Sequence, residues 1–260
     1  MSALFCSLDT DAQRLVAGEL NKFGYACVNN FLQPEQLQEL RNYVAEQAQQ
    51  HQGQYFAHHG GAALTGTLLG SIGSAPELEA MLAGIHRQGT GRNAYQQTIQ
   101  IVLRCVQGQT GKYESNCFHY DASLLTALVP VEIPTQGEAR GDLLLFPNSR
   151  RVRSSVLLNV IEKALLQNKL ARRAITLAIR RHWLEPFRLA LVPGNLYLFW
   201  GYRSLHANEP CDPANRRATA IFHYGDPHAG SLATRLILRL NQRRALRATA
   251  DAAVATHHVV

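Results

Sequence analysis

Three stretches near the N-terminus space their apolar residues as amphipathic helices do, over residues 8–22, 33–50 and 75–88. In the second stretch, Leu37, Leu40 and Val44 fall on one helical face. Residues 23–32 alternate between apolar and polar positions, which predicts a strand. Residues 51–75 are rich in Gly, His and Ala and predict a solvated loop. The first part of the chain, to about residue 94, is therefore expected to be mainly helical.

From about residue 95 the pattern changes to short β-rich segments separated by Gly, Pro and Asn. Seven such segments are expected, at residues 95–106, 116–121, 124–133, 141–147, 187–193, 195–202 and 217–225. Many short strands in succession are typical of an antiparallel sandwich or barrel. The predicted fold class is mainly β with flanking helices, and the β core is expected over residues 95–227.

Two further helical patterns accompany this core. Residues 154–182 have helical spacing and many cations, and they predict a helical insertion between strands. Residues 229–247 predict a terminal helix with leucines on one face and arginines on another. No internal repeat or low-complexity linker divides the sequence. Residues 1–260 are therefore expected to form one domain.

The 260 residues carry 26 Lys and Arg against 19 Asp and Glu, a net charge of +7. The basic excess lies mainly after Pro147, where it suits solvated helix faces, an anionic substrate or an anionic membrane surface. Nucleic acid is the weakest option, because no RNA-binding sheet or helix-turn-helix pattern accompanies the charge. Five scattered cysteines, no secretory signal and no long apolar run predict a cytoplasmic protein, with peripheral membrane contact as an option.

One pair of residues points to metal chemistry. His119 and Asp121 are two apart, so on an extended strand they project to the same side. His206 follows a later predicted strand and can meet the pair across a barrel. Two imidazoles and one carboxylate on one face of an ion form the facial triad of non-haem Fe(II) oxygenases. Each residue alone is more often structural, and the hypothesis depends on their joint spacing.

A second signal is cationic. Arg216 and Arg217 follow His206 by ten and eleven residues, at the start of the last predicted strand. A strand-borne arginine can hold a carboxylate with two parallel hydrogen bonds. Neighbouring residues on a strand face opposite sides, so only one of the two can point inward. His223, further along the same segment, is interpreted as structural.

Together, "HYD" at 119–121, "PGNLYLFWGYRSLH" ending at His206 and "RRATAIFHYG" from Arg216 resemble the iron(II)/2-oxoglutarate-dependent dioxygenases, nearest the phytanoyl-CoA dioxygenase-like branch. The resemblance extends from about residue 23 to residue 224. It implies a double-stranded β-helix, or jelly roll, with N-terminal helices packed outside. The insertion at 154–182 departs from the standard core of that family and weakens any detailed analogy of substrate.

The resemblance also implies a site and a reaction. His119, Asp121 and His206 would hold Fe(II), and 2-oxoglutarate and O2 would be cosubstrates. Arg217, preferred to Arg216 on spacing, would bind the distal carboxylate of 2-oxoglutarate, with Thr219 on the same face and Asn208 as a further contact. The expected outcome is hydroxylation of an unactivated C–H bond in a small-molecule or lipid- or sugar-linked substrate. The carboxylate at 121 favours this over halogenation, because related halogenases carry a small residue there.

Two other classes stay open. One is a jelly-roll metalloenzyme that does not use 2-oxoglutarate, in which case the arginine pair would have no ligand to hold. The other is a non-catalytic module on the same fold that binds a membrane or a partner through the basic helices of 154–182 or 229–247. Succinate release that depends on O2 and Fe(II) separates these classes from the oxygenase.

Overall fold

A computed structural model describes residues 4–135, 139–153 and 155–229, so the predicted helix at 229–247 lies almost entirely outside the described residues. The described helices of the N-terminal part are α1 (Thr10–Lys22), α2 (Pro34–Gln50), α3 (Leu68–Gly73) and α4 (Pro76–Thr90). The side chain of Asp9 caps α1 by accepting from the backbone of Ala12 at 2.8 Å. In α2, Leu40 and Val44 are buried as predicted. A short helix α5 (Gly108–Gly111) follows later in the chain.

The sheets are antiparallel and form two layers. The larger has the order β1-β7-β4-β9-β3-β2, from Tyr25–Val28, Leu196–Phe199, Leu125–Glu132, Arg217–Tyr224, Gln100–Val106 and Phe56–His59. The smaller has the order β6-β5-β8, from Phe187–Leu189, Leu143–Phe146 and Leu205–Asn208. The predicted mainly β architecture, a jelly-roll core with flanking helices, is confirmed.

Each face of the larger sheet has its own cover. The outward side chains of β9 alternate with the inward ones, and Ala218, Ala220, Phe222 and Tyr224 are buried in the core that contains the N-terminal helices. A second apolar cluster lies between the two sheets and includes Leu128, Leu143 and Phe199. These apolar side chains also line the polar cavity inside the barrel.

Residues 51–75 differ from the predicted loop. They contain β2 and α3, joined by a 3-10 turn at Gly61–Leu64. Strand β2 pairs with β3 through partners such as His58 and Leu103, so the tertiary structure supplies hydrogen bonds that composition does not reveal. His58 and His59 therefore lie on an edge strand.

The predicted insertion at 154–182 is two helices, α6 (Val156–Gln167) and α7 (Lys169–Arg180). The two helices are separated at Asn168, whose side chain accepts from the backbone of Ala171 at 2.8 Å and caps α7. Ile175 and Ile179 of α7 pack beside Phe118 and Leu144 of the barrel. In the described part of the chain, no helix combines the length and apolar character needed to cross a membrane.

Candidate metal centre

The three residues of the predicted triad converge at one end of the barrel. Residues 116–121 do not form a regular strand, but His119 makes a single antiparallel bridge to His206 of β8, with both N–H···O distances at 3.0 Å. The backbone of Asp121 then donates to Gly201 at 3.0 Å. As a result, Oδ1 of Asp121 lies 3.4 Å from Nε2 of His119 and 3.6 Å from Nε2 of His206. One ligand atom from each of the three residues lies within 4.8 Å of the others.

Backbone carbonyls fix the orientation of both imidazoles. Nδ1 of His119 lies 2.8 Å from the carbonyl oxygen of Cys117, and Nδ1 of His206 lies 2.9 Å from that of Ser204. A carbonyl oxygen only accepts, so each Nδ1 carries the hydrogen. In the neutral ring the lone pair is then on Nε2, which faces Asp121. This arrangement is the one that metal-ligating histidines adopt.

The second oxygen of Asp121 has partners of its own. The hydroxyl of Thr126 on β4 donates to Oδ2 at 2.5 Å. Gly201 lies against the same oxygen, where any side chain would overlap with it. Burial opposes ionisation of Asp121, but the positive charge of a protonated His206 or His223, and the hydrogen bonds that the His119 and His206 rings donate when they are protonated, hold the pKa of this carboxyl well below its usual value. The carboxylate is thus ionised, with Oδ2 held and Oδ1 turned to the imidazoles.

His223, which the sequence assigned to a structural role, lies in this site. Its Nδ1 is 3.7 Å from Oδ2 of Asp121 and 3.3 Å from the hydroxyl of Thr126. Burial, partly offset by Asp121, lowers the pKa of His223. The alternation of side chains along a strand could have predicted this position, because residues 217, 219, 221 and 223 share one face of β9.

The two arginines of the predicted pair have opposite surroundings. Arg217 is 2 % exposed, and its Nε donates to the carbonyl oxygen of Gly141 at 2.6 Å. Burial, together with the nearby charge of Arg104, lowers the pKa of Arg217 to about 10. Arg216 points away from the interior and pairs with Glu132 at 2.7 Å. The inward arginine is therefore Arg217.

A cavity of about 70 Å³ connects Arg217 with the triad. Thr219 and Asn208, both predicted at this site, line it, and Nη1 of Arg217 lies 3.5 Å from the hydroxyl of Thr219. Arg104 of β3 also lines the cavity and was not predicted. It is paired with Thr219 across the sheet, donates to Asn208 at 3.2 Å and forms an ion pair with Glu114 at 2.9 Å.

The donor set fits a divalent iron ion. Two imidazole nitrogens and one ionised carboxylate oxygen face a common point, which is the ligand set of the facial triad. The side chain of His119 is 35 % exposed, so the site is open on one side, whereas Asp121 and His206 are buried. The geometry therefore leaves room for further ligands beside the cavity that Arg217 closes.

Comparison with known proteins gives a likeness of fold. No known protein family matches the sequence, and no curated protein sequence is similar to it. Among solved structures, a prolyl 4-hydroxylase from Phytophthora capsici is 14% identical and matches over 86% of this chain and 68% of its own, with a TM-score of 0.53. The non-haem alpha-ketoglutarate-dependent epimerase SnoN from nogalamycin biosynthesis is 16% identical and matches over 84% of this chain and 82% of its own, with a TM-score of 0.54.

A third structure, a prolyl 4-hydroxylase from Pseudomonas putida, is 11% identical over 82% of this chain and 98% of its own, with a TM-score of 0.52. The fold is that of these non-haem oxygenases. The similarity extends over most of the chain and confirms the jelly-roll core. At such low identities it establishes the architecture, and the chemistry has to be argued from the site.

Proposed function

We propose that the protein is an Fe(II)/2-oxoglutarate-dependent oxygenase, related to the phytanoyl-CoA dioxygenase-like branch. One observation carries the proposal: His119, Asp121 and His206 converge with both imidazoles held in the ligating tautomer. The same cavity ends at the buried Arg217. A facial triad and an inward cation in one cavity are what binding of iron and a dicarboxylate requires.

Each of these residues has a role in the proposed site. His119, Asp121 and His206 hold Fe(II), and bound iron supplies the redox chemistry that couples decarboxylation of 2-oxoglutarate by O2 to oxidation of the substrate. Arg217 binds the distal carboxylate of 2-oxoglutarate, and the hydroxyl of Thr219 donates to it. Asn208, held by Arg104, is a further contact at the wall of the cavity. Thr126 keeps the carboxylate of Asp121 in its ligating orientation.

The proposed reaction is hydroxylation of an unactivated C–H bond. One O2 supplies one oxygen atom to succinate and one to the hydroxylated product, and the C1 carboxylate of 2-oxoglutarate leaves as CO2. The carboxylate of Asp121 occupies the position that a halide would need, which favours hydroxylation over halogenation. The proposed substrate is a small molecule or a lipid- or sugar-linked molecule.

The surroundings of Arg217 favour this oxygenase over a metalloenzyme that does not use 2-oxoglutarate. Within the described residues, its guanidinium bonds to a backbone carbonyl and lies near a hydroxyl, but forms no ion pair with a carboxylate. A buried cation without a paired anion is costly, and a carboxylate of the cosubstrate would relieve that cost.

Anaerobic reconstitution tests the proposal. The purified protein is loaded with Fe(II), mixed with 2-oxoglutarate and exposed to O2, and succinate is measured by mass spectrometry. We expect slow succinate release that requires both iron and O2 and is lost in His206→Ala. His182→Asn is the matched control, because His182 is exposed and asparagine tolerates its left-handed backbone. Iron-independent release, or equal release from His206→Ala and the control, would contradict the proposal.

We also propose that the protein is a cytoplasmic single domain that contacts anionic membrane surfaces peripherally. Helix α7 supports the membrane part. Leu170 and Leu177 on this helix are exposed, and Arg173 and Arg180 lie on the same exposed side. An exposed stripe that combines leucines with arginines suits the headgroup region of an anionic bilayer.

A further inference from the structure

A second and larger cleft, of about 480 Å³, lies at the rim of the barrel. We call it the arginine cleft, because its walls include Arg92, Arg151, Arg153 and Arg203. Tyr95, which is 81 % exposed, adds an aromatic wall, and Asp226 is the carboxylate among the lining residues that the structure describes. Its volume is in the range of sites for small molecules, which is about 300–1,000 Å³.

The arginine cleft lies at the same end of the barrel as the triad. Gly225, which lines the cleft, is two residues after His223 of the metal centre, and it accepts from the backbone of Leu124 at 2.8 Å. The start of β3 pairs with the end of β9 through Gln100 and His223. Residues 92–95 of the cleft precede β3 in the chain, so they lie near this end too. The backbone of Arg150 donates to Arg203 at 3.0 Å, which places Arg151 beside Arg203.

Chain connectivity limits the distance between cleft and metal centre. His223 is two residues from Gly225, and Arg203 is three residues from the triad member His206. Extended chain spans at most about 3.6 Å per residue, so the Cα atoms in these pairs are within about 7 Å and 11 Å. Backbone atoms of the cleft therefore lie within about 11 Å of the backbone of two residues of the metal centre.

The charge in the cleft is not balanced by protein carboxylates. Among the described residues, Arg153 pairs with Glu162 at 3.0 Å, while Arg92, Arg151 and Arg203 form no ion pair. Arg203 is half-buried, and within the part of the chain that the structure describes its guanidinium donates to Asn21, at 3.5 Å. Burial lowers the pKa of Arg203, which reflects the cost of desolvating an unpaired cation. An anion at this position would relieve that cost.

We propose that the arginine cleft binds an anionic group of the substrate, a phosphate, sulfate or carboxylate, while the carbon to be oxidised lies at the metal centre. Arg203 is the central contact, with Arg151 and Arg92 at its exposed margin. The proposal rests on the oxygenase function proposed above and adds to it the class of substrate: an acidic molecule whose charged group binds outside the metal centre.

Binding of inorganic pyrophosphate to the iron-free protein tests the cleft without any turnover. We expect saturable binding by calorimetry that weakens at least about tenfold in Arg203→Gln and by a smaller factor in Arg151→Gln, since a charged hydrogen bond is lost. Arg14→Gln is the charge-matched control, because Arg14 is an exposed residue of α1 that pairs with Asp11. Thermal melts of each variant check that folding is retained.

Substitution of Arg217 separates this cleft from the barrel cavity, because Arg217 lines only the cavity. Pyrophosphate affinity should be the same in Arg217→Met and in wild type, whereas a loss of affinity in Arg217→Met would place the anion in the barrel and overturn the proposal. Equal affinity in Arg203→Gln and wild type, or equal loss in Arg14→Gln, would also overturn it. Vesicles of phosphatidylglycerol replace pyrophosphate in a parallel arm, so Arg203-dependent binding there identifies a lipid headgroup as the anion source. Succinate release is measured independently, so the oxygenase and the cleft can fail separately.

Discussion

The barrel cavity and the helical insertion α6–α7 both carry charge, but they use it in opposite ways. In the cavity, Asp121 and Arg217 are almost fully buried; Asp121 accepts from the hydroxyl of Thr126, and Arg217 donates to the carbonyl oxygen of Gly141. On α7, Arg173 and Arg180 are exposed between exposed leucines. A buried charge must have partners of fixed geometry, whereas an exposed one is satisfied by water. The fixed partners in the cavity therefore indicate a specific binding site, whereas the exposed charges of the insertion indicate only the character of its surface.

The largest effect is expected for the imidazole ligands. His206→Ala and His119→Ala should each lower Fe(II) affinity by at least about a hundredfold, because one of only three protein ligands is lost. Anaerobic titration with Fe(II), or with Co(II) followed by absorbance, measures the change. His182→Asn should bind metal as the wild type does. Full metal occupancy in both alanine variants would show that the triad does not bind iron.

The adjacent residues Arg216 and Arg217 provide a matched test of which arginine binds 2-oxoglutarate. Arg217→Met should weaken 2-oxoglutarate binding at least tenfold, because a charge-assisted hydrogen bond contributes about 1.5–3 kcal/mol. Arg216→Met removes only a partly exposed ion pair with Glu132 and should change the affinity little. Calorimetry on the Fe(II)- or Mn(II)-loaded variants gives both dissociation constants. Equal effects of the two substitutions would reject the assignment.

Strand periodicity accounts for what the sequence could predict of this site. It placed Arg217 and Thr219 on one face of β9, and the structure confirms that they share the cavity. The same periodicity includes His223, yet no rule of sequence says which histidines near a strand end approach a carboxylate. Arg104 was missed for a similar reason, because its neighbour Thr219 is more than a hundred residues away along the chain. Pairing between distant strands is set by the fold.

Helix and strand patterns were predictive where the local sequence is strongly periodic, as in α2 and β9. They failed at residues 51–75, where β2 forms because β3 offers an edge to pair with. They also merged α6 and α7, because a single asparagine cap at Asn168 interrupts a pattern that is otherwise continuous. Tertiary pairing and single capping residues carry too little local signal to be read from composition.

The contact between Thr126 and Asp121 is the next target. Thr126→Val keeps the shape of the side chain but removes the hydroxyl that holds Oδ2, and should lower Fe(II) affinity by about 10- to 100-fold. Thr126→Ser retains the hydroxyl and should recover most of the affinity. The readout is metal affinity together with the absorbance spectrum of the Co(II)-loaded protein. If valine and serine variants bind metal equally, the hydroxyl does not orient the carboxylate.

Glu162 links the insertion to the barrel. It bonds Arg150, a buried side chain that stacks on Tyr120, the residue between His119 and Asp121, with its guanidinium carbon 3.8 Å from the ring centre. Glu162→Gln should destabilise the protein by about 1–3 kcal/mol at neutral pH, because the buried guanidinium loses its carboxylate.

The effect of Glu162→Gln should depend on pH. Hydrogen bonds from Arg153 and Arg150, opposed by some desolvation, lower the pKa of Glu162. Its stabilisation is therefore complete above the ordinary glutamate pKa and is lost as pH falls through the lowered one. Thermal melts should show a gap between variant and wild type that closes at acidic pH. Glu185→Gln, an exposed control, should show no gap, and a gap independent of pH would contradict the charge pairing.

The smallest effect is expected on the surface of α7. Co-sedimentation with anionic vesicles at low salt should show weak binding, because each basic residue near the surface contributes about 1 kcal/mol of attraction. Binding should weaken in the double variant Leu170→Ser/Leu177→Ser and when salt is added. Leu15→Ser, an exposed leucine of α1, is the control and should not alter binding. Absence of wild-type binding at low ionic strength would leave the insertion as cover for the barrel.

The insertion also has a consequence for how this protein could change over evolutionary time. Strands β5 and β6 are adjacent, with Leu145 opposite Phe187, so the connection that contains α6 and α7 begins and ends at neighbouring points of the sheet. Lengthening such a connection costs little, because loop-closure entropy grows only with the logarithm of length. The two helices can thus be replaced or remodelled as a cassette while the strands that position the triad keep their register.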